Sequence, residues 1–289
     1  MRAAATAFLA ALDESELTRA RRPFTDAKAR RWIEYRPRPR PGSCLADMDR
    51  AARKAAHRLL ATALSPHAYA QAVTIMALEE VLDRSENWRR NRHSDDYRVV
   101  VFGAPGDEYW SWRIEGHHLS ITMTIAGGRV SPAPIFLGAN PANVSHAGRA
   151  VVRPLAPEED LGHELLAAMG ARARSAAIVA ERAPEDIRSA VSPRLAPRIE
   201  PAGIAAVDLE PAARDVLDAL LSVHLDRLPA ALAAQENARL AGAELHFAWE
   251  GPARPGTRHY YRLQAPDLLI EYDNTSADGN HAHTVLRRP

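Results

Sequence analysis

The spacing of apolar residues divides the chain into helical and extended segments. Apolar positions recur at helical spacing over residues 46–64, over the stretch that follows Ser65-Pro66, over residues 158–182 and over residues 211–241. Ser65 and Pro66 form a cap and first-turn pair that is typical of a helix start. The pattern therefore predicts a helical layer over residues 1–95 and a helical insert over residues 158–241.

Alternation of apolar and polar residues, with turn formers between the runs, predicts strands elsewhere. The predicted strands are Tyr97–Phe102, Tyr109–Ile125, Val130–Leu137, Glu244–Glu250, Arg258–Gln264, Leu268–Asn274 and His281–Arg287. This order shows no parallel βαβ repeat. We therefore predict an α+β fold in a single domain over residues 1–289, with a mainly antiparallel sheet built from residues 97–137 and 244–287 and with the helices packed on it.

A proline-rich segment interrupts the helical insert. Residues 183–210 contain Pro184, Pro193, Pro197 and Pro201 but few periodic apolar positions. Segments of this length without periodicity are irregular loops, which serve either as functional lids or as exposed connections. We expect a loop or lid of this kind here.

The long strand predicted over residues 109–125 changes its parity in the middle. Its apolar residues are Trp110, Trp112 and Ile114 before Gly116, and Leu119, Ile121, Met123 and Ile125 after it. Since alternate residues of a strand face opposite sides, a β-bulge at Gly116-His117-His118 would reconcile the two halves. Such a bulge would aim both histidines into one cavity. In the alternative, His117 joins the core and His118 faces solvent.

Composition and charge narrow the classes of function. The chain has 37 basic and 36 acidic residues and a formal net charge of +1, which gives no global field for nucleic acid. An arginine-rich N-terminal stretch, from Arg19 to Arg40, is interpreted as a solvated arm. Cys44 is the single cysteine, so no intramolecular disulfide is expected.

The sequence shows neither a secretory signal nor a membrane span. Residues 1–12 run into Asp13, Glu14 and Glu16 too early for a signal peptide, and no apolar run reaches the roughly 18 residues that a span needs. We therefore expect a soluble, cytoplasmic protein without a nucleic-acid or membrane partner. The oligomeric state stays open.

Histidine and carboxylate side chains share faces in the last predicted hairpin. His281 and His283 lie on one face of their strand, and Glu271 and Asp273 on one face of the strand before it. If Asp273 pairs with His281, then Glu271 pairs with His283 and all four project to the same side. In a register shifted by one residue, the side chains that face the histidines are those of Tyr272 and Asn274.

These side chains suggest a metal site. The candidate ligands are His117, His118, His281, His283 and Glu271, and the metals that this set suits are zinc, iron, manganese and copper. The candidate catalytic residues are Glu271, Asp273 and His118, and the candidate substrate contacts are Arg262, Arg287, Trp112, Gln264 and Asn274. The leading hypothesis is a metal-dependent enzyme that activates water or dioxygen, and thus carries out hydrolysis or oxidation.

Two other interpretations of the same residues stay open. Without a metal, the histidines and carboxylates act as a coupled acid and base, or as a polar network that fixes the register of the sheet. In that second case the chain is a non-catalytic module whose aromatic and arginine residues bind a small molecule or a peptide.

Short motifs occur along nearly the whole chain. They include Phe102-Gly103-Ala104-Pro105, Trp110-x-Trp112-Arg113-x-x-Gly116-His117-His118-Leu119, Phe136-Leu137-Gly138-Ala139-Asn140-Pro141, His259-Tyr260-Tyr261-Arg262, Leu269-Ile270-Glu271-Tyr272-Asp273-Asn274 and Asn280-His281-x-His283-x-Val285-x-Arg287. Together they resemble the bacterial family described as domain of unknown function 3500 (DUF3500). The resemblance implies one domain and no established activity. The chain departs from the family pattern at Ala265, Leu286 and Arg288.

Overall fold

A computed structural model of the chain describes residues 1–192, 195–196 and 198–288. Pro193 and Pro197 of the predicted loop lie outside the described residues, as do Arg194 and Pro289. Two compact units are present. The first comprises Met1–Leu137, Val191–Pro193 and Arg227–Leu232, and the second comprises Gly138–Ala190, Arg194–Asp226 and Ala233–Pro289. That the chain is a single domain stays a prediction.

Helices α4 to α9 lie in the segments where apolar residues recur at helical spacing, and three shorter helices precede them. In chain order they are α1 (Arg2–Ala10), α2 (Glu14–Ala20), α3 (Ala27–Arg31), α4 (Arg50–Ala61), α5 (Pro66–Ser85), α6 (Ala156–Ala168), α7 (Ala171–Ala177), α8 (Pro211–Leu225) and α9 (Ala230–Leu240). As predicted, α5 begins at Pro66 with Ser65 as its N-cap, although the Ser65 side chain makes no capping hydrogen bond. None of the helices in the described residues combines the length and apolar character needed to cross a membrane.

The strands occupy both predicted regions, with short additions. In chain order they are β1 (Arg21–Arg22), β2 (Ser43–Cys44), β3 (Arg98–Phe102), β4 (Tyr109–Gly116), β5 (Leu119–Ala126), β6 (Arg129–Ser131), β7 (Ile135–Ala139), β8 (Val144–His146), β9 (Arg149–Val152), β10 (Ile178–Ala180), β11 (Ile204–Ala205), β12 (His246–Glu250), β13 (His259–Ala265), β14 (Leu268–Ser276) and β15 (His281–Arg287). The α+β prediction is confirmed.

The sheet of the first unit has the strand order β1-β3-β4-β5-β7, with β2 beside β3 and β6 beside β5. These pairs are antiparallel apart from β1 with β3. Val101, Trp112 and Ile121 are buried in this sheet, and Phe8 of α1 and Leu59 of α4 are buried too. Since α1 contacts α4 and α5 contacts β5, the helices cover part of the sheet and enclose an apolar core.

The predicted β-bulge at Gly116-His117-His118 is wrong, because the chain reverses direction there. Gly116 pairs with Leu119 across a two-residue turn that contains both histidines. The φ angle of His118 is 61°, in the left-handed region that tight turns use. The reversal explains the change of parity. Residues at equal distances from the turn lie opposite each other and share a face of the sheet, as even-numbered Trp112 and odd-numbered Met123 do.

Gly116 is required where the Tyr97 ring crosses the end of β4. A Cβ atom added at Gly116 would lie 2.2 Å from Tyr97 Cδ1, and Tyr97 is buried and donates a hydrogen bond to the His117 carbonyl oxygen at 2.8 Å. We expect Gly116→Ala to lower the free energy of unfolding by about 2–3 kcal/mol, because the ring cannot move away cheaply. Urea denaturation measures this. The same substitution in a Tyr97→Ala background should cost less, and an equal cost would refute the explanation.

The sheet of the second unit has the strand order β15-β14-β13-β12-β10, with β11 beside β12, and β8 pairs with β9 separately. β10 is parallel to β12, and the other pairs are antiparallel. Helix α6 contacts α8. Gly162 brings α6 close to β13, because a Cβ there would lie 2.9 Å from Tyr261 Cε1. This close approach places one face of α6 against the start of β13.

The described part of the proline-rich segment is tied to the sheet of the second unit. The backbone N–H of Ser189 donates to Glu271, and the N–H of Ile199 donates to Gln264 at 3.1 Å. The carbonyl oxygen of Pro201 accepts a hydrogen bond from Arg262. Because side chains of β13 and β14 make these bonds, the loop runs along the sheet.

Candidate functional site

Among the residues that the structure describes, three groups of histidine and carboxylate side chains, each contained in one unit, bring ligand atoms within 4.8 Å of one another. They are Glu79, His117 and His118 in the first unit, and Glu159, His163 and His259 together with Asp186, Asp273 and His283 in the second. All three groups could bind a metal by their geometry. The charges around them decide which one is best suited to it.

The group in the first unit lies beside an arginine. Nδ1 of His117 is 2.6 Å from Glu79 Oε1, and Nδ1 of His118 is 3.7 Å from the same oxygen. Arg92 Nη1 is 3.2 Å from His117 Nδ1 and 3.6 Å from the Glu79 carboxylate. A permanently charged guanidinium group therefore lies against the histidine nitrogen itself, in the place where a metal ion would bind, and it repels a second cation there. This group is therefore better suited to an anion than to a metal ion.

The second group is an ion pair on neighbouring strands. Asp273 pairs with His283 in the β14–β15 register, and His283 Nδ1 lies 3.3 Å from Asp273 Oδ2 and 3.0 Å from Asp186 Oδ1. Burial by itself lowers the pKa of His283, but the carboxylates of Asp273 and Asp186 outweigh it and raise that pKa. The imidazole is thus held as a cation and would have to lose a proton before it could bind a metal.

This register resolves the parity that the sequence left open. Glu271 pairs with Val285, and His281 pairs with Ser276 beyond an irregularity between Asn274 and Ser276. Glu271 and Asp273 therefore each pair with a residue two positions further along β15 than in the register considered from the sequence. The parity is the same, and Asp273 still faces a histidine.

In the third group, one helix face presents two ligands to a strand. Glu159 and His163 are four residues apart on α6, so their side chains share a face. His259 is the first residue of β13, and the His163 and His259 ring centroids are 4.7 Å apart. His259 Nε2 lies 3.9 Å from Glu159 Oε1. Two imidazoles and one carboxylate therefore converge.

A hydrogen bond to the backbone determines which ring nitrogen of His259 carries the proton. Nδ1 of His259 is 2.8 Å from the Thr257 carbonyl oxygen, which can only accept, so Nδ1 carries the proton and Nε2 has a lone pair. This is how proteins orient a metal-binding histidine. Nε2 of His259 is buried and has no hydrogen-bond partner among the residues that the structure describes.

The surroundings keep both imidazoles neutral. Burial lowers the pKa of His259 to about 4, although the Thr257 carbonyl raises it. Burial also lowers the pKa of His163, in spite of Glu159 and the Ala253 backbone, which raise it. The Trp249 ring stacks on His259 with centroids 4.9 Å apart. Neutral histidines are the form that binds metal, so this group is the best suited of the three.

The comparisons with known proteins place the chain in a family. The family model described as "Protein of unknown function (DUF3500)" matches residues 1–289. The chain belongs to this family. No curated protein and no solved structure matches this DUF3500 chain. The chemistry of its own side chains therefore indicates its function.

Glu271 of the DUF3500 chain, predicted as a ligand and catalytic residue, is fully buried. It accepts hydrogen bonds from the Tyr260 hydroxyl at 2.9 Å and from the Ser189 backbone N–H at 3.1 Å. Burial raises its pKa, although both of these bonds lower it.

His281 Nδ1 lies 2.8 Å from the Ser276 hydroxyl. The joining of His281 and His283 with the tandem histidines stays a prediction.

The predicted substrate contacts make bonds within their own units. Arg262 is fully buried and donates to Glu250 at 2.7 Å, and Arg287 donates to the Ser189 and Ala190 carbonyl oxygens at 3.3 Å. Gln264 binds the Ile199 backbone through both of its polar atoms. Trp112 is fully buried in the first unit, and Asn274 donates to Glu159 at 3.0 Å. That these residues bind substrate stays a prediction.

Sequence reasoning missed most of the third group in this DUF3500 chain. Neither Glu159 nor His163 is among the candidate residues predicted from the sequence, although Glu159-x-x-x-His163 has the helical spacing that presents two ligands on one face. That spacing was the available signal. Nothing in the sequence connects these residues with His259, nor Glu79 with His117, nor Asp186 with His283, because each meeting depends on long-range packing.

Proposed function

We propose that this protein is a metal-dependent enzyme whose centre is formed by Glu159, His163 and His259. The observation that carries the proposal is the buried Nε2 atom of His259, which has a lone pair, a fixed proton on Nδ1 and no hydrogen-bond partner among the described residues. Two histidines and one carboxylate suit zinc or non-haem iron and leave coordination positions open. Water or dioxygen would be activated there, for hydrolysis or oxidation.

The neighbouring residues hold the side chains of Glu159 and His259 in place. Arg153 donates to Glu159 Oε2 at 2.7 Å and Asn274 donates to Oε1 at 3.0 Å, so the carboxylate is held in one orientation and keeps further lone pairs. Trp249 stacks on His259 and limits the rotation of the imidazole. These contacts make the three ligand atoms a preorganised set.

Two of the three side chains are partly exposed, and both belong to α6. The Glu159 side chain is 16% exposed and His163 is half-buried, whereas His259 is fully buried. A substrate would therefore approach from the helix side, past Glu159 and His163, and the ion would be held from the strand side. A centre with a closed, four-ligand shell would lack this opening.

Cobalt substitution tests whether the site binds a metal and has an open position. We expect tag-free protein stripped with a chelator to bind about one Co²⁺ per chain and to show visible absorption bands. Added azide should shift those bands, because it occupies an open coordination position. Absence of stoichiometric uptake would contradict the metal site, and bands that azide leaves unchanged would contradict the enzyme and indicate a closed structural site.

A further inference from the structure

An arginine-rich cleft lies in the first unit, away from the residues of the proposed metal centre in sequence. Its volume is about 380 Å³, within the range of small-molecule sites. The charged and titratable residues of its lining are Arg38, Arg40, Arg90, Arg92, Arg98, Glu79, Asp96 and His117. Arginines are the residues that bind the oxygens of anionic ligands in pairs.

The carboxylates of the cleft do not balance its arginines. Five arginines face two carboxylates in the lining, and Glu79 already accepts a short bond from His117. Glu86 neutralises part of the excess, since it lies 2.8 Å from Arg92 and 3.8 Å from Arg90. Five arginines against Glu79, Asp96 and Glu86 still leave a positive excess in the cleft, and it favours a ligand with more than one negative charge.

The guanidinium group of Arg40, which lines the cleft, is not fully satisfied by hydrogen bonds. Its Nε atom is buried and has no hydrogen-bond partner in the described part of the chain, although its Nη2 donates to the Arg36 carbonyl oxygen. Burial lowers the pKa of Arg40, whereas Glu115 and Glu34 raise it. A buried charged group that lacks an acceptor is costly, so negative charge in the cleft beside Arg40 would offset part of that cost.

We propose that this cleft binds a small phosphate-bearing molecule. A phosphoryl group carries about two negative charges and several acceptor oxygens in different directions, which matches arginines that reach the cleft from more than one segment of the chain. Arg38 and Arg40 come from the loop before β2, Arg90 and Arg92 from the stretch after α5, and Arg98 from β3. A planar carboxylate offers its oxygens in one plane only.

Calorimetry with inorganic pyrophosphate and inorganic phosphate tests the proposal on the full chain at about 0.15 M ionic strength. We expect saturable binding of one molecule per chain, with pyrophosphate tighter than phosphate. Arg38→Gln and Arg98→Gln should each weaken binding about tenfold or more, because each removes a charge-assisted hydrogen bond. Arg38 is exposed, so that variant should fold normally.

Arg58→Gln provides the matched control, since Arg58 is an exposed arginine of the same unit on α4, outside the cleft. Equal weakening by Arg58→Gln would overturn the proposal, because the binding would then be general surface attraction. Citrate binding as tight as that of pyrophosphate would overturn the assignment to phosphate. Chelator treatment should leave the affinity unchanged, and its loss would show that phosphate binds a metal instead. The outcome is independent of the proposed metal centre.

Discussion

His163→Ala is expected to lower the affinity of the protein for Zn²⁺ by about a hundredfold or more, because it removes one of three ligands from a preorganised set. Glu159→Gln should have a comparable effect, since an amide oxygen carries no charge to offset that of the ion. Both residues are only partly buried, so the fold should tolerate the changes. Competition with a chromophoric chelator measures the affinities.

Two matched variants separate this site from adventitious binding. Glu164→Gln changes an exposed glutamate on the same helix, and His146→Ala changes an exposed histidine on β8. Both should keep the wild-type affinity. If His146→Ala or Glu164→Gln weakened zinc binding as much as His163→Ala does, surface side chains would account for the metal and the proposed centre would have to be abandoned.

Asp273→Asn should have the largest effect on stability. Asp273 is 1% exposed and pairs with His283, and removal of one member of a buried ion pair leaves the other charge uncompensated. We expect the free energy of unfolding to fall by about 3–5 kcal/mol. Asp186→Asn should cost about 1 kcal/mol or less, because the Asp186 side chain is 37% exposed.

The raised pKa of His283 also predicts the direction in which the free energy of unfolding changes with pH. The folded-state pKa of His283 is raised to about 10, above the ordinary value of about 6.5. The stabilisation that this histidine contributes is therefore fully present below about pH 6.5 and is lost as the pH rises toward 10. Burial also raises the pKa of Asp273, from 3.8 to about 6. Its contribution to stability therefore also falls as the pH rises, but over this more acidic range.

Denaturant unfolding at several pH values compares the wild type with Asp273→Asn, so that the other titrating groups cancel. The wild type should lose more stability than the variant between pH 6.5 and pH 10. Identical slopes would show that the His283 imidazole is not held as a cation by Asp273.

Most of the fold could be predicted because local patterns determine it. The strands of the last hairpin begin and end within two residues of the predicted limits, since alternation marks them directly. The error at Gly116-His117-His118 arose because a bulge and a two-residue turn change parity in the same way. Only the pairing of Gly116 with Leu119 distinguishes them, and the turn lacks the asparagine or glycine that usually marks a hairpin.

The candidate site was less predictable, because its parts meet through tertiary packing. The sequence indicates histidines that are neighbours in the chain. In the structure their side chains contact residues distant in sequence, His117 with Glu79 and His283 with Asp186. The best-suited metal group combines a helix and a strand about a hundred residues apart. The close approach of α6 to β13 at Gly162 brings them together, and no local pattern encodes that contact.

A crystal of the zinc-loaded protein, with anomalous diffraction recorded on both sides of the zinc absorption edge, tests the central claim most directly. The account predicts an anomalous peak about 2.0–2.2 Å from Nε2 of His259, from a ring nitrogen of His163 and from a carboxylate oxygen of Glu159. A fully occupied zinc peak at another group, with His259 Nε2 left without a ligand, would contradict it.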